Sequence, residues 1–210
     1  MTVEGFDYLR DPDTIYERSF AIIEAETDWA SLSSELRPVA LRMIHASGMT
    51  ELVGDLAASN DFVTTATATL RGARPVIADC RMVQHGIIRR QLPAANPIAC
   101  ILDEQPHAPA GDTRSAAAID RSAPLLDGAL VVIGNAPTAL FRLLERIASG
   151  TSRPAAVVGL PVGFVGAAES KAALAAAGSV PFLTLHGRRG GSPMAAAAVN
   201  ALARLAGRAP

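Results

Sequence analysis

The sequence predicts a three-layer α/β/α domain, in which a parallel sheet of five strands carries helices on both faces and a helical portion precedes the sheet. Three observations support this fold class. Apolar residues recur at helical spacing through the first third of the chain. Short apolar runs then alternate with alanine-rich stretches of helical length. The last three of these runs are uninterrupted, which is typical of strands buried on both faces of a parallel sheet.

The helices of the first third are marked by signals at their ends. Thr14 and Glu17 have the spacing of a capping box, which predicts a first helix with Thr14 as its N-cap. A second helix is expected over residues 35–47, because Gly48 is a typical C-terminal signal. A third helix is expected over residues 62–70.

Strands and helices alternate in the rest of the chain. The predicted strands are 75–79, 97–102, 129–134, 155–160 and 181–187. The predicted helices are 113–121, 136–149, 166–177 and 193–206. Such alternation favours crossover connections and therefore a parallel sheet. Residues 1–210 are interpreted as a single domain, since this length supports one core and neither a linker nor a repeat interrupts it.

The composition excludes several classes of protein. A net charge of −1 argues against nucleic-acid binding. No apolar run reaches the roughly 18 residues of a membrane span, and the acidic start does not resemble a secretion signal. Cys80 and Cys100 are too few for a disulfide framework, which favours a cytoplasmic protein. Lys171 is the only lysine, and arginine, the other basic residue, binds carboxylates better because its planar group forms two parallel hydrogen bonds.

The loops at the carboxyl ends of the last three strands are candidates for a binding site, since α/β sheets bind ligands there. These loops are 134–140, 159–171 and 187–193. Asn135 can cap the helix that follows it, and Ser192 can cap the last helix. For any one loop, a tight turn explains the glycines and prolines; three loops at one edge, with Arg188 and Arg189 in the last, favour an anionic ligand. Nucleotide, nucleophile and metal motifs are absent, so neither a cofactor nor a metal is expected.

The segment RMIHASGM holds His45, the first candidate for a catalytic residue. Apolar residues of the second helix, including Val39 and Met43, form one stripe, and His45 lies on the opposite side. Arg42 is three residues earlier and is its neighbour on that side. Two interpretations remain open: His45 is simply exposed to solvent, or it lines a polar pocket between this helix and another surface.

Two further residues are candidates for the same pocket. Ser19 lies on the side of the first helix that carries Ile15, Ile22 and Ile23. Its hydroxyl either bonds its own backbone, which is common, or faces a ligand. His85 precedes a glycine in the segment VQHG and is the second histidine that we retain as a pocket residue.

Five segments together resemble the precorrin-8X methylmutase family of cobalamin biosynthesis. They are RDPDTIYERSF, LRMIHASG, GDTRSAAA, VVIGNAPTALF and GLPVGFVGAAESK. The resemblance implies a flavodoxin-like, doubly wound fold and a homodimer with its active site near the subunit interface. It also implies an isomerase that moves a methyl group from C-11 to C-12 of the corrin precursor and gives hydrogenobyrinate. Because this shift is intramolecular, it needs neither a methyl donor nor a cofactor.

The resemblance also assigns roles to residues. The catalytic histidine of the family falls on His45, its substrate-contacting serine on Ser19 and its arginine on Arg42. We hypothesise that His45 protonates or hydrogen-bonds the macrocycle near the migrating methyl group and then takes the proton back. After His85, the family often has a hydroxyl residue where this chain has Ile87 and Ile88, so no hydroxyl contact is expected there.

Position suggests three more substrate contacts. The implied substrate is a polycarboxylate tetrapyrrole, for which arginines are suitable partners. Thr113 and Arg114 open the helix after 111–112, and Arg114 either binds a carboxylate of the substrate or pairs with a neighbouring acid. Asn135 either caps its helix alone or also faces the ligand.

Two other functions remain open. One is an α/β enzyme of another class, acting on a phosphorylated or acyl substrate with His45 as general base. The other is a tetrapyrrole carrier without catalytic activity. Only the isomerase would change the spectrum of precorrin-8X catalytically.

Overall fold

A six-stranded sheet forms the centre of the protein, whose computed structural model describes residues 5–105 and 107–207. The strands are Leu56–Ala58 (β1), Val76–Ala78 (β2), Ile98–Cys100 (β3), Leu130–Ile133 (β4), Ala156–Gly159 (β5) and Phe182–Leu185 (β6). Their order is β1-β6-β5-β4-β2-β3, and only β1 is antiparallel to its neighbour. The five parallel strands thus have the flavodoxin-like, doubly wound order. The predicted fold class is confirmed, and the predicted number of strands is one too few.

The helices of the described residues cover both faces of this sheet. They are Pro12–Glu26 (α1), Arg37–Ser47 (α2), Phe62–Arg71 (α3), Arg81–Gly86 (α4), Arg114–Arg121 (α5), Ala123–Leu126 (α6), Pro137–Ala148 (α7), Ala167–Ala177 (α8) and Ser192–Gly207 (α9). All predicted helices are present; α4 and α6, which are short, were not predicted. In this part of the chain, no helix is both long and apolar enough to cross a membrane.

Two cores separate the helices into layers. One core joins a face of the sheet to α5, α7 and α8, and the other joins the opposite face to α3, α4 and α9. The second helix packs on α9, and α1 packs on α2, so these two helices of the predicted N-terminal portion form a further layer outside α9, whereas the third, α3, packs on the sheet. A site formed by α1 and α2 therefore lies on the side of α9 that faces away from the sheet.

The start of α1 differs from the prediction. Asp11 is the N-cap, and its carboxylate accepts the N–H of Thr14 at 2.8 Å. Pro12 then occupies the first helical position, which its fixed φ angle suits. The predicted stripe of this helix is also mostly outside the core, because Ile15 and Ile22 are 43% and 46% exposed.

The start of α7 is held by a carboxylate from a neighbouring strand. Asp79 follows β2, is fully buried, and accepts the N–H groups of Gly134, Asn135 and Ala136 at 2.9, 2.8 and 2.9 Å. The prediction that the Asn135 side chain caps this helix is therefore wrong, since Asp79 takes that role. Burial raises the pKa of Asp79, and the three hydrogen bonds act in the opposite direction.

The single lysine has a structural role. Lys171 of α8 is fully buried and donates a hydrogen bond to the carbonyl oxygen of Arg189, in the loop after β6. Burial lowers the pKa of Lys171 to about 8, and the carboxylate of Asp55 opposes this effect. The lysine therefore fixes the loop that follows the last strand.

Candidate active site

His45 lies in the last turn of α2 and faces α1. Its Nδ1 atom is 3.1 Å from the hydroxyl oxygen of Ser19. Its ring is 5.0 Å from the ring of Phe20, measured between centroids. Both interpretations of His45 find support, because the side chain is exposed and also lines a cavity beside α9. The hydroxyl of Ser19 is close enough to hydrogen-bond the imidazole.

Arg42, one turn before His45, rests on two aromatic rings of α1. Its guanidinium carbon is 5.1 Å from the centroid of Tyr16 and 4.8 Å from that of Phe20. These two rings stack on each other with centroids 4.3 Å apart, and the Tyr16 hydroxyl accepts a hydrogen bond from Arg42. Desolvation and, to a lesser extent, Arg204 lower the pKa of Arg42. The cation–π contacts and the hydrogen bond hold this guanidinium in one orientation.

Two adjoining cavities lie beside these side chains, between α2 and α9. A cavity of about 190 Å³ is lined by residues that include Tyr16, Phe20, Arg42 and Arg204. A cavity of about 160 Å³ is lined by residues that include Arg42, His45, Ile88, Asn200 and Arg204. The two cavities share Arg42 and Arg204, and we call them together the His45 cleft. The cleft is lined by cations, aromatic rings and amides and so suits an anionic ligand that has an apolar body.

The segment around His85 reaches this cleft through a different residue. The Asn200 side chain accepts the N–H of Ile88 at 2.8 Å and donates to the carbonyl of Gly86 at 2.9 Å. Asn200 thus holds the segment against α9 and places Ile88 in the wall of the cleft. His85 itself is exposed at the end of α4, and its predicted contact with a substrate stays a prediction.

The remaining predicted contacts lie elsewhere in the subunit. Thr113 is the N-cap of α5; its hydroxyl accepts the N–H of Ala116 at 3.1 Å and donates to Thr138 at 2.8 Å. Arg114 is exposed, and among the described side chains it has no carboxylate partner, so pairing with a neighbouring acid finds no support. Because α5 and α9 cover opposite faces of the sheet, one subunit does not bring Thr113 and Arg114 together with His45. Asn135 lies in the loop between β4 and α7, and its predicted contact with a substrate stays a prediction.

Sequence reasoning missed most residues of the His45 cleft, among them Tyr16, Phe20 and Arg204. Tyr16 and Phe20 are four residues apart on α1 and flank Ser19, a spacing that indicates a common face. Arg204 carries no such signal, because it is 162 residues from Arg42 in the sequence and approaches it only when α2 packs on α9.

Comparison with known proteins identifies the class of molecule to which this fold and cleft belong. A family profile described as Precorrin-8X methylmutase matches residues 14–205. A Precorrin-8X methylmutase of Sinorhizobium is 51% identical over 95% of this chain and 97% of its own length. A Cobalt-precorrin-8 methylmutase of Priestia megaterium is 36% identical over 93% of this chain and 88% of its own length.

A solved structure agrees with these sequence comparisons. The precorrin-8x methyl mutase of Thermus thermophilus matches with a TM-score of 0.83 and 36% identity, over 93% of this chain and 96% of that one. The chain therefore belongs to the precorrin-8X methylmutase family. The resemblance that the sequence motifs carry is confirmed, and with it the assignment to the isomerases of cobalamin biosynthesis.

Proposed function

We propose that this protein moves the methyl group of precorrin-8X from C-11 to C-12 and gives hydrogenobyrinate, with His45 as the group that controls protonation of the macrocycle. The observation that carries this proposal is the contact of His45 with Ser19 beside Arg42, in a cleft of the family fold. Residues 1–210 act as one domain, in the cytoplasm, and no cofactor takes part. During the shift the bond from C-11 to the methyl carbon breaks as the bond to C-12 forms, so every atom of the substrate is retained.

Ser19 and Arg42 have distinct parts in this chemistry. Because Nδ1 of His45 is within hydrogen-bond distance of the Ser19 hydroxyl, Nε2 is the nitrogen left for the substrate. Ser19 fixes the orientation of the ring, and the Nε2 atom donates a proton or a hydrogen bond to the macrocycle and then recovers it. The guanidinium of Arg42 binds an acetate or propionate side chain of the substrate. Its contacts with the rings of Tyr16 and Phe20 hold the guanidinium in the orientation for this ion pair.

The metal-free substrate is favoured over the cobalt-containing one. The relative named Precorrin-8X methylmutase is 51% identical to this chain, whereas the relative named Cobalt-precorrin-8 methylmutase is 36% identical. Greater identity over nearly the same length supports the substrate of the former.

A spectroscopic assay tests the proposed function. On addition of precorrin-8X, a small molar fraction of the enzyme should convert the whole sample to the hydrogenobyrinate spectrum. A tetrapyrrole carrier would change the spectrum only in proportion to the protein added, and an α/β enzyme for another substrate would leave it unchanged. Either of these results would contradict the proposal.

We further propose that the active site is completed in a homodimer. The two cavities of the His45 cleft together measure about 350 Å³, which is at the lower end of the range of about 300–1,000 Å³ for sites of drug-sized ligands, and a tetrapyrrole with its acid side chains is larger than such ligands. The cleft of one subunit thus admits part of a macrocycle. The exposed apolar residues Ile15 and Ile22 on α1 supply surface for a partner subunit. Thr113 and Arg114, which lie across the sheet from His45 within one subunit, would then contact the substrate from the other, together with Asn135.

Mixed dimers should reveal such a shared site. Dimers of His45→Ala and dimers of Arg114→Ala are each expected to lose most activity. After subunit exchange at equal concentrations, half of the dimers are mixed, and each of these has one intact site. The mixture should therefore recover about a quarter of wild-type activity. Activity equal to the mean of the two parent variants would contradict a site shared between subunits.

A further inference from the structure

Arg204 stands out among the residues that line the His45 cleft. It lies in the last full turn of α9, is exposed, and lines both cavities together with Arg42. Two guanidinium groups therefore face the same small space and repel each other, which contributes to the lowered pKa of Arg42. Among the side chains that the structure describes, no carboxylate lies within ion-pair distance of either group.

Stabilisation of the C-terminus of α9 does not explain why the guanidinium of Arg204 lies beside the cleft. Basic residues often stabilise a helix C-terminus, where carbonyl groups lack partners. On α9, however, Arg71 already serves these groups: its Nε donates to the carbonyl of Ala206 at 2.9 Å, and its terminal nitrogen donates to that of Leu205 at 3.3 Å. The guanidinium of Arg204 borders the cleft instead.

We propose that Arg204 and Arg42 together bind one carboxylate side chain of the macrocycle and that Arg204 is a substrate-positioning residue. This inference rests on the proposed function, which supplies a polycarboxylate ligand. A carboxylate between the two arginines would relieve their repulsion and accept hydrogen bonds from both. The cavity of about 190 Å³ fits an acetate or propionate arm and leaves the ring outside.

The carboxylate site lies close enough to His45 to orient the substrate for the reaction. Arg42 precedes His45 by three residues on α2, so the two side chains lie about one helical turn apart. An arm held by Arg42 and Arg204 would fix which edge of the macrocycle reaches His45. Arg204 thus selects the reacting edge, whereas Tyr16 and Phe20 hold only Arg42.

The experiment compares Arg204→Gln with Arg204→Lys and with Arg153→Gln as the matched control. Arg153 is an exposed arginine in the loop before β5, and its backbone N–H, which the substitution keeps, binds Asp127. Binding of hydrogenobyrinate is measured by absorbance titration at two salt concentrations, and KM and kcat are measured with precorrin-8X. Thermal unfolding of each variant verifies that the fold is retained.

Arg204→Gln should weaken hydrogenobyrinate binding roughly 10- to 100-fold, the usual effect of losing a charge-assisted hydrogen bond. KM should rise by a similar factor with a smaller change in kcat, and the dependence of binding on salt should decrease. Arg204→Lys should recover part of the affinity, because it keeps the charge but loses the planar pair of donors. Arg153→Gln should behave as wild type.

A second ligand tests the carboxylate directly. If Arg204 binds a carboxylate, wild type and Arg204→Gln should bind the fully amidated macrocycle with the same affinity. Unchanged hydrogenobyrinate binding by Arg204→Gln, in an enzyme that converts precorrin-8X, would overturn this inference alone. Wild-type protein that binds the macrocycle in an Arg204-dependent manner without converting precorrin-8X would overturn the proposed function and leave the carboxylate site standing.

Discussion

Replacement of His45 by alanine is expected to lower the rate of isomerisation by about 10²- to 10⁴-fold, the usual contribution of general acid–base catalysis. Binding of hydrogenobyrinate should change far less, because Arg42 and Arg204 remain in the cleft. The measurement is kcat with precorrin-8X, together with the dissociation constant of the product. His186→Ala is the matched control, since His186 is exposed after β6 and, among the residues that the structure describes, it forms a hydrogen bond only through its main-chain N–H.

His45→Gln separates the two possible actions of this residue. Glutamine can donate or accept a hydrogen bond but cannot take up a proton near neutral pH. If His45 transfers a proton, the glutamine variant should be as slow as the alanine variant; if it only hydrogen-bonds, glutamine should restore much of the rate. Wild-type turnover by His45→Ala would refute a role for His45 in the reaction.

Replacement of Asp79 by alanine is expected to be the most destabilising of the substitutions considered, although Asp79 is not assigned to the active site. The carboxylate is fully buried and satisfies three N–H groups at the start of α7. Its loss leaves those donors without partners at the junction of β2 and β4. We expect a decrease of about 3–5 kcal/mol in the free energy of unfolding, because three N–H groups lose a charged acceptor and each buried donor left unsatisfied costs about 1–3 kcal/mol.

Denaturation by urea at a fixed protein concentration measures this effect. Asp127→Ala is the matched control, because the Asp127 carboxylate, at an exposed position, accepts one N–H within the described part of the chain, that of Arg153 at 2.7 Å. Its loss should cost about 1 kcal/mol or less. An equal decrease in the free energy of unfolding for the two variants would contradict the prediction that the three hydrogen bonds of Asp79 stabilise the fold more than the single bond of Asp127.

The sequence predicts the parallel part of the sheet well because its signals are local. Continuous apolar runs mark β4, β5 and β6, and Gly48 marks the end of α2 with φ at +70°. The antiparallel strand Leu56–Ala58 is not predicted by this criterion, because it is too short to form a continuous apolar run. It has three residues, all partly exposed, and it exists because β6 offers a free edge. Such a strand is specified by its partner rather than by its own pattern.

In the candidate site too, residues marked by local sequence motifs were predicted, and residues brought in by the packing of distant segments were not. Helical spacing and the family resemblance together predict Ser19, Arg42 and His45. The structure places Arg42 and His45 in the wall of the His45 cleft and the Ser19 hydroxyl 3.1 Å from Nδ1 of His45. Arg204 could not be predicted, since its contribution depends on which face of α9 meets α2. The error at Asn135 has the same cause: the group that caps α7 is Asp79, which is 56 residues earlier in the sequence.

The burial of Lys171 has a practical consequence for work with this protein. It is the only lysine of the sequence, and its amine is enclosed between α8 and the loop after β6. Reagents that couple to lysine amines, such as succinimidyl esters and glutaraldehyde, therefore find no lysine on the native surface. Any lysine coupling would report molecules in which α8 has opened locally, so the extent of labelling measures that opening. Attachment to a solid support through a side chain therefore needs chemistry directed at a residue other than lysine.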